Sequence, residues 1–283
     1  MRFGIAFANT GELATGAGAV ALAVHAEELG FESLWAVEHV VVPTGYASPY
    51  PYSSDGRMPG SEDSPIPDPL VWLAYVAGAT TRIRLATGIL ILPQRNPLIL
   101  AKEVATLDAM SGGRVELGIG VGWLREEFDA LGVPFDARGA RTDEYIDVLR
   151  RLWREPATAY EGQFGRFDEV KSYPKPAQTA GPRIHIGGHT RAAAARAARI
   201  GDGFFPARNL ATALRAFRTE CERYGRNPGD VEISAGVGLD LDAIKRARDE
   251  LGVHRVMVPP FGITVSQARD GLSRFADSVL AHL

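Results

Sequence analysis

The sequence predicts an α/β fold, a (β/α)8 TIM barrel with insertion loops at the carboxyl-terminal face of the strands. Three observations carry that expectation. Eight apolar or alternating segments, beginning near Arg2, Glu32, Ile83, Arg114, Arg183, Gly203, Val231 and His254, are each followed by a stretch with helical spacing. Strict alternation of strand and helix argues for a parallel sheet, and eight units favour closure, which leaves no exposed edge, over an open doubly wound sheet. The length, 283 residues, suits one barrel of about 250 residues, so residues 1–283 are read as a single domain.

Side chains alternate across a strand, so each strand divides into two faces. In the first, Phe3, Ile5 and Phe7 oppose Gly4, Ala6 and Ala8, and the helix from Gly18 to Leu29 follows with Leu22, Ala26 and Leu29 on one stripe. In the second, Leu34, Ala36 and Glu38 are assigned to the inner face, and His39 falls with Trp35 and Val37. The insertion Pro43 to Pro69 comes next, rich in Pro, Ser, Tyr and Gly; Tyr46, Tyr50, Tyr52 and the nearby Trp72 argue against disorder and mark it as a lid.

The third strand leads into the helix Pro97 to Met110. In the fourth, Val115, Leu117 and Ile119 oppose Glu116, Gly118 and Gly120. The helix Arg141 to Trp153 precedes a second insertion, Arg154 to Gly181, read as a loop containing Gly162-Gln-Phe-Gly165 and Pro174-Lys-Pro176. Ile184 and Ile186 oppose His185 and Gly187, and the alanine-rich helix Thr190 to Arg199 follows; Ile233, Ala235 and Val237 oppose Ser234 and Gly236, and Val265 to Leu280 is the last helix. The bulky faces should meet the helices. The small faces then line the interior, where they either relieve crowding in a tapering barrel or open a slot for a flat cofactor.

Composition excludes several classes of function. A 23% charged content and a net charge of -3 give no basic surface for nucleic acid. No apolar run approaches the ~18 residues of a membrane span, and Met1 to Ala8 lacks the pattern of a signal peptide, so a cytoplasmic protein without a membrane partner is expected. The single cysteine, Cys221, shares a helical stripe with Leu214 and Phe217 and reads as a buried, inert thiol. No metal is expected: His185 and His189 have i, i+4 spacing, but that places two imidazoles together only on a helix, and a Gly-Gly corner separates these.

Two corners can hold an anion. At Gly187-Gly188-His189-Thr190 a strand turns into a helix whose first N–H groups and positive dipole end face outward. Bare glycines let a phosphate approach, Thr190 can cap the helix while reaching the same oxygens, and Arg191 can add charge. A tight turn with a capped helix and no ligand would have the same sequence. The second corner, Gly118-Ile-Gly-Val-Gly122, has the spacing G-x-G-x-G and not the G-x-G-x-x-G of a dinucleotide fold, and neither a phosphate-binding G-x-x-x-x-G-K-[ST] nor a G-x-S-x-G elbow occurs.

With Trp35-Ala-Val-Glu-His39, Thr87 to Pro93, Ala101 to Arg114, Gly118 to Glu127 and Ile186 to Gly203 in order, the chain resembles the bacterial luciferase-like family over nearly its whole length. Gly120 to Phe128 followed by Arg138-Gly-Ala-Arg-Thr-Asp-Glu144 is most similar to its branch that uses the deazaflavin coenzyme F420. The resemblance implies a barrel that holds a flavin or deazaflavin at the mouth with its phosphate beside it. It decides the Gly187 corner in favour of phosphate and implies a cofactor site of Ala6, Thr87, Gly88, Ile89, Gly120, Val121, Gly122, Gly187, Gly188, His189 and Thr190, with a non-proline cis peptide at Gly88–Ile89. It also implies catalysis by the pair Glu38 and His39, which overrides the face assignment made above for His39.

Arg95 would meet the acidic tail of the coenzyme, a substrate carboxylate, or a surface carboxylate, while Arg138, Arg141 and Glu144 are read as a structural helix start. The function implied is hydride transfer between F420 and a small organic substrate. Two readings stay open beside it: an FMN-dependent monooxygenase served by a separate reductase, and a non-redox phosphate-binding barrel. The family also implies a homodimer.

Overall fold

The computed structural model describes residues 1–283. Its strands are β1 (Arg2–Ile5), β2 (Ser33–Ala36), β3 (Arg84–Thr87), β4 (Leu90–Ile91), β5 (Val115–Gly120), β6 (Thr158–Glu161), β7 (Arg166–Val170), β8 (Arg183–Gly187), β9 (Gly203–Phe205), β10 (Glu232–Ala235) and β11 (Arg255–Val258). Parallel pairing runs β3–β2–β1–β11–β10–β9–β8–β5, and β5 pairs back to β3, so eight strands close a barrel. Each begins within two residues of its expected start. The two-residue β4 continues β3 beyond Gly88–Ile89 and pairs with β5.

The helices are α1 (Gly16–Glu28), α2 (Pro69–Ala77), α3 (Pro97–Met110), α4 (Arg125–Ala130), α5 (Arg138–Arg154), α6 (Arg191–Ile200), α7 (Leu210–Tyr224), α8 (Leu241–Asp249) and α9 (Val265–Ser278). Their starts follow from local chemistry. Asp68 and Asn96 accept first-turn N–H bonds ahead of Pro69 and Pro97, and Thr264 and Gln267 form a reciprocal capping box. No helix is long and apolar enough to cross a membrane.

The second insertion departs from expectation: it is an antiparallel hairpin of β6 and β7, not a loop. Its strands are largely exposed and polar and so carry no apolar run to betray them. Tyr160 stacks on Phe167 at 5.9 Å, and the Glu144 carboxylate accepts the Gln163 and Phe164 N–H groups to close the turn.

The outward faces of β1, β5, β8 and β10 are buried against the helices as their bulk predicts, with Phe3, Ile5, Leu117, Ile119, Ile184, Ile186 and Ile233 in one apolar cluster. The assignment for β2 is corrected: Leu34 and Ala36 join that helix-side cluster, whereas Trp35 is inside the barrel with Ala86 and Met257. Ser33 and Trp35 are therefore inner residues, and the strand ends at Ala36, before His39. Phe7 is also corrected; β1 ends at Ile5, and Phe7 stands exposed in a left-handed conformation, φ 54°.

Trp35 explains several glycines. A Cβ at Gly88 would lie 2.9 Å from the Trp35 side chain, and one at Gly118 3.1 Å from its ring. Below Trp35 the interior is ionic. Arg255, fully buried, reaches Glu32 at 2.8 Å, Glu116 at 3.0 Å and Glu232 at 2.7 Å, while Arg84 reaches Glu116 at 2.6 Å and His185 Nε2 lies 3.1 Å from the same carboxylate. Glu116, His185 and Glu232 stand close enough to share a metal, but Arg255 and Arg84 already pair with Glu116, and Arg255, Arg2 and Arg183 with Glu232, so a dication there would be repelled.

This layer predicts an acid-labile fold. Burial alone would raise the Glu116 carboxyl, but the adjacent His185 imidazole, with the Arg255 and Arg84 guanidinia, holds it well below the usual range. A depressed folded value stabilises above the unfolded value, about 4.3, and is lost as pH falls beneath it. The melting temperature should drop steeply from pH 5 to pH 3. An equally steep drop in Glu116→Gln would assign the effect elsewhere.

Candidate active site at the barrel mouth

Beyond the carboxyl ends of the strands, the chain after β2 carries Glu38 and His39, which the resemblance pairs and the structure separates. The buried Glu38 carboxylate accepts the Ile91 N–H and the Arg95 guanidinium, and Arg95 also holds Asp68 at 2.6 Å. Burial pushes the Glu38 carboxyl up, against Arg95 and the Ile91 N–H. Both oxygens are thus spent on fixing the start of α2 and the turn after β4. Arg95 has no free charge for a coenzyme tail or a substrate; of the roles considered for it, the carboxylate pairing is the one the structure shows.

The acid beside His39 is Glu127, on α4. His39 Nδ1 lies 3.1 Å from Glu127 Oε2, and Oε1 accepts the Val40 and Val41 N–H groups at 2.7 and 3.3 Å. Glu127 is fully buried. An ionised carboxylate only accepts, so it fixes the proton on Nδ1 and leaves Nε2 as an acceptor. Sequence reasoning missed this partner: Glu126 and Glu127 look like ordinary acids of a first helical turn, and 88 residues separate Glu127 from His39.

The remaining candidates fall into two groups. Thr87 is buried and donates its hydroxyl to the Gly118 carbonyl at 2.6 Å, so it binds β3 to β5 beneath the mouth instead of facing it. The spaces above Gly120 and Gly187 are filled by Ile89, whose side chain lies 2.2 and 2.7 Å from where their Cβ atoms would be, and Phe128 and Ile91 fill the space at Gly122. At these positions the small residues relieve crowding. Gly88–Ile89 is cis, and the Ile89 side chain lies between Gly120 and Gly187.

The open surface is made by Ala6, Ile89, Val121, Gly188, His189 and Thr190, all half-buried except the exposed Thr190. Gly188 has φ 116°, a conformation natural to glycine, and its missing Cβ would press on Ala193 at 3.1 Å. Thr190 accepts the Ala193 N–H at 3.2 Å and caps α6. His189 Nδ1 is buried without a partner. Gly236, after β10, has nothing within 4 Å of its Cβ position. Arg191, expected to add charge here, is paired instead with Glu220 at 2.8 Å.

The insertion before α2 lies across this surface. An aromatic chain runs from His39 to Trp123 (5.8 Å), Tyr50 (5.1 Å), Tyr52 (5.2 Å) and His189 (5.5 Å), with Tyr46 also on Trp123. Glu126 Oε1 accepts the Ala47 and Ser48 N–H groups, and Arg208 donates to the Pro51 carbonyl at 2.8 Å. The segment is placed as a lid. Burial raises the Tyr50 phenol, keeping it a neutral donor.

Residues 1–258 match the family model described as luciferase-like monooxygenase. An uncharacterised protein of Mycobacterium tuberculosis is 32% identical over 276 residues, 93% of this chain and 94% of that protein. An F420-dependent glucose-6-phosphate dehydrogenase of Kineococcus radiotolerans is 31% identical over 230 residues, 78% of this chain and 63% of that one. An FMNH(2)-dependent dimethylsulfone monooxygenase of Pseudomonas putida is 35% identical over 141 residues, 49% and 39%. Among solved structures, a monooxygenase from Streptomyces bottropensis superposes with a TM-score of 0.77 at 26% identity, covering 100% of this chain and 99% of that one.

Proposed function

We propose that this chain, which belongs to the luciferase-like monooxygenase family, is a coenzyme F420-dependent oxidoreductase that moves a hydride between the deazaflavin and a small organic substrate. The observation that carries the proposal is the shape of the mouth. The capped N-terminus of α6 stands at one side behind a bare Gly188, and His39, oriented by Glu127, stands at the other, joined to it by the aromatic lid. A planar ring with a phosphate fits: the Gly188 cradle takes the phosphate, the orphaned His189 Nδ1 offers it a partner, and Ile89 supports the ring.

The bound coenzyme supplies the hydride chemistry. His39 Nε2 accepts or returns the proton that accompanies it on the substrate oxygen, Glu127 holds the imidazole in the tautomer that can do so, and Trp123, Tyr50 and Tyr52 exclude water. The preference for a deazaflavin rests on the F420-dependent relative, whose match spans more of the chain than that of the FMNH(2)-dependent one. The FMN-dependent monooxygenase is the second reading, supported by the latter relative and by the fold of the Streptomyces enzyme.

Titration of the apoprotein with F420 and with FMN, followed by fluorescence, separates the two. Tight F420 binding is expected, weakened more than tenfold in Gly188→Asp, which adds a negative charge beside the N-terminus of α6. Binding of FMN alone, with oxygen consumed when reduced FMN is added, would establish the monooxygenase; binding of neither would leave a phosphate-binding barrel. A homodimer also remains a proposal, supported by the exposed Val71 and Tyr75 on α2 and Ile99 on α3. Sedimentation as a monomer independent of concentration would refute it.

A further inference from the structure

The rim of the mouth holds several cations, and most are committed. Arg95 is held by Glu38 and Asp68, Arg191 by Glu220, and Arg196 and Arg199 by Asp143. Arg138 is different: its Nε donates to the Gly122 carbonyl at 3.1 Å, its Nη1 to the Phe135 carbonyl at 3.4 Å, and it has no carboxylate partner. Arg125 lies against the same Phe135 ring, its guanidinium carbon 4.2 Å from the centroid against 3.7 Å for Arg138. Its one acid, Asp136 at 3.2 Å, is 88% exposed and screened by solvent. Two guanidinia sharing one ring repel each other unless an anion joins them.

Their position gives that anion a source. Gly122 ends the segment after β5, and β5 pairs with β8, whose end carries the Gly188 cradle. The first turn of α5 is tied to α6 by Arg196, which donates to the Gly139 carbonyl at 3.0 Å. Arg138 therefore stands beside the seam of β5 and β8 that ends at the Gly188 cradle, and Arg125 shares its Phe135 ring.

We infer that Arg125 and Arg138, clasping Phe135, form a binding site for an oligocarboxylate, the acidic tail of the deazaflavin coenzyme. The inference rests on the F420 reading and gives Arg138, expected to be structural, a ligand. Guanidinium forks match carboxylates, and an exposed site suits a tail that extends into solvent. Arg141 and Glu144 keep structural tasks, the former donating to the Pro134 carbonyl at 2.7 Å.

The test compares the coenzyme carrying its glutamates with the same deazaflavin phosphate lacking them, by fluorescence titration of the full chain at low and high salt. Wild type should prefer the glutamylated form about tenfold at low salt, and the preference should shrink as salt screens it. Arg125→Gln, which leaves the Gly122 contact intact, should lose part of the preference, and Arg125→Gln/Arg138→Gln all of it, with affinity for the tailless form unchanged. Equal affinity of wild type for both forms overturns the tail site and leaves the F420 assignment standing. Binding of FMN but neither deazaflavin overturns both.

Discussion

His39→Gln is expected to lower kcat about a thousandfold, within the range for loss of a positioned acid or base, while cofactor affinity stays within about twofold. The expectation follows from geometry. His39 packs edge-to-face with Trp123 and has Nδ1 committed to Glu127, so Nε2 is its one ring nitrogen free for substrate. Trp123, Tyr50 and Tyr52 stand in series between it and His189 beside the Gly188 corner, which is why binding should survive. Glu127→Gln keeps an oxygen for the Val40 and Val41 N–H groups but can turn its amide toward His39 and favour the other tautomer. A loss of about tenfold to a hundredfold is expected there, with a changed pH profile, since the stabilising carboxylate is gone. Steady-state kinetics with a screened substrate and fluorescence titration check both. Unchanged kcat in His39→Gln, or affinity falling in step with it, would move His39 from the chemistry to the cradle.

The barrel was legible because its outer faces are chemically uniform. Val115, Leu117 and Ile119, or Ile184 and Ile186, need only face a helix, and alternation shows that in a few residues. The interior was not, because its packing is non-local: Trp35 of β2 occupies the space left by Gly88 and Gly118, and His185 of β8 lies 2.0 Å from where a Gly203 Cβ would stand. Size therefore misled at β2, where the largest residue points in. The site divides in the same way. Gly188 and Thr190 were legible because a glycine corner before a capped helix is local chemistry. The partners of His39 and Glu38 come from 88 and 53 to 57 residues away, and the Gly122 carbonyl that holds Arg138 from 16, distances at which a single sequence carries no pairing signal.

That division predicts opposite outcomes for two substitutions of the same size. In Gly118→Ala the new methyl would stand 2.0 Å from the Thr87 carbonyl oxygen and 3.1 Å from Trp35. Neither neighbour can retreat: Thr87 is buried between β2 and β5 with its hydroxyl on the Gly118 carbonyl, and Trp35 is fully buried between Arg255, His185 and Phe205. Overpacking a core costs about 1–3 kcal/mol and more where backbone must shift, against a total stability of about 5–15 kcal/mol. At about 2–4 °C per kcal/mol for a chain approaching this size, the melting temperature should fall by roughly 2–12 °C, and further where the backbone must shift, or the variant should fail to fold. Gly236→Ala meets no atom within 4 Å, so its fold should be untouched, with the melting temperature within about 2 °C of wild type. If Gly236 borders the ring slot, the same methyl narrows it, and cofactor affinity should fall in a protein of normal stability. Calorimetry and titration on the two variants decide the matter: a stable Gly118→Ala would refute the packing role of the inner glycines, and a Gly236→Ala that binds as wild type would remove β10 from the wall of the site.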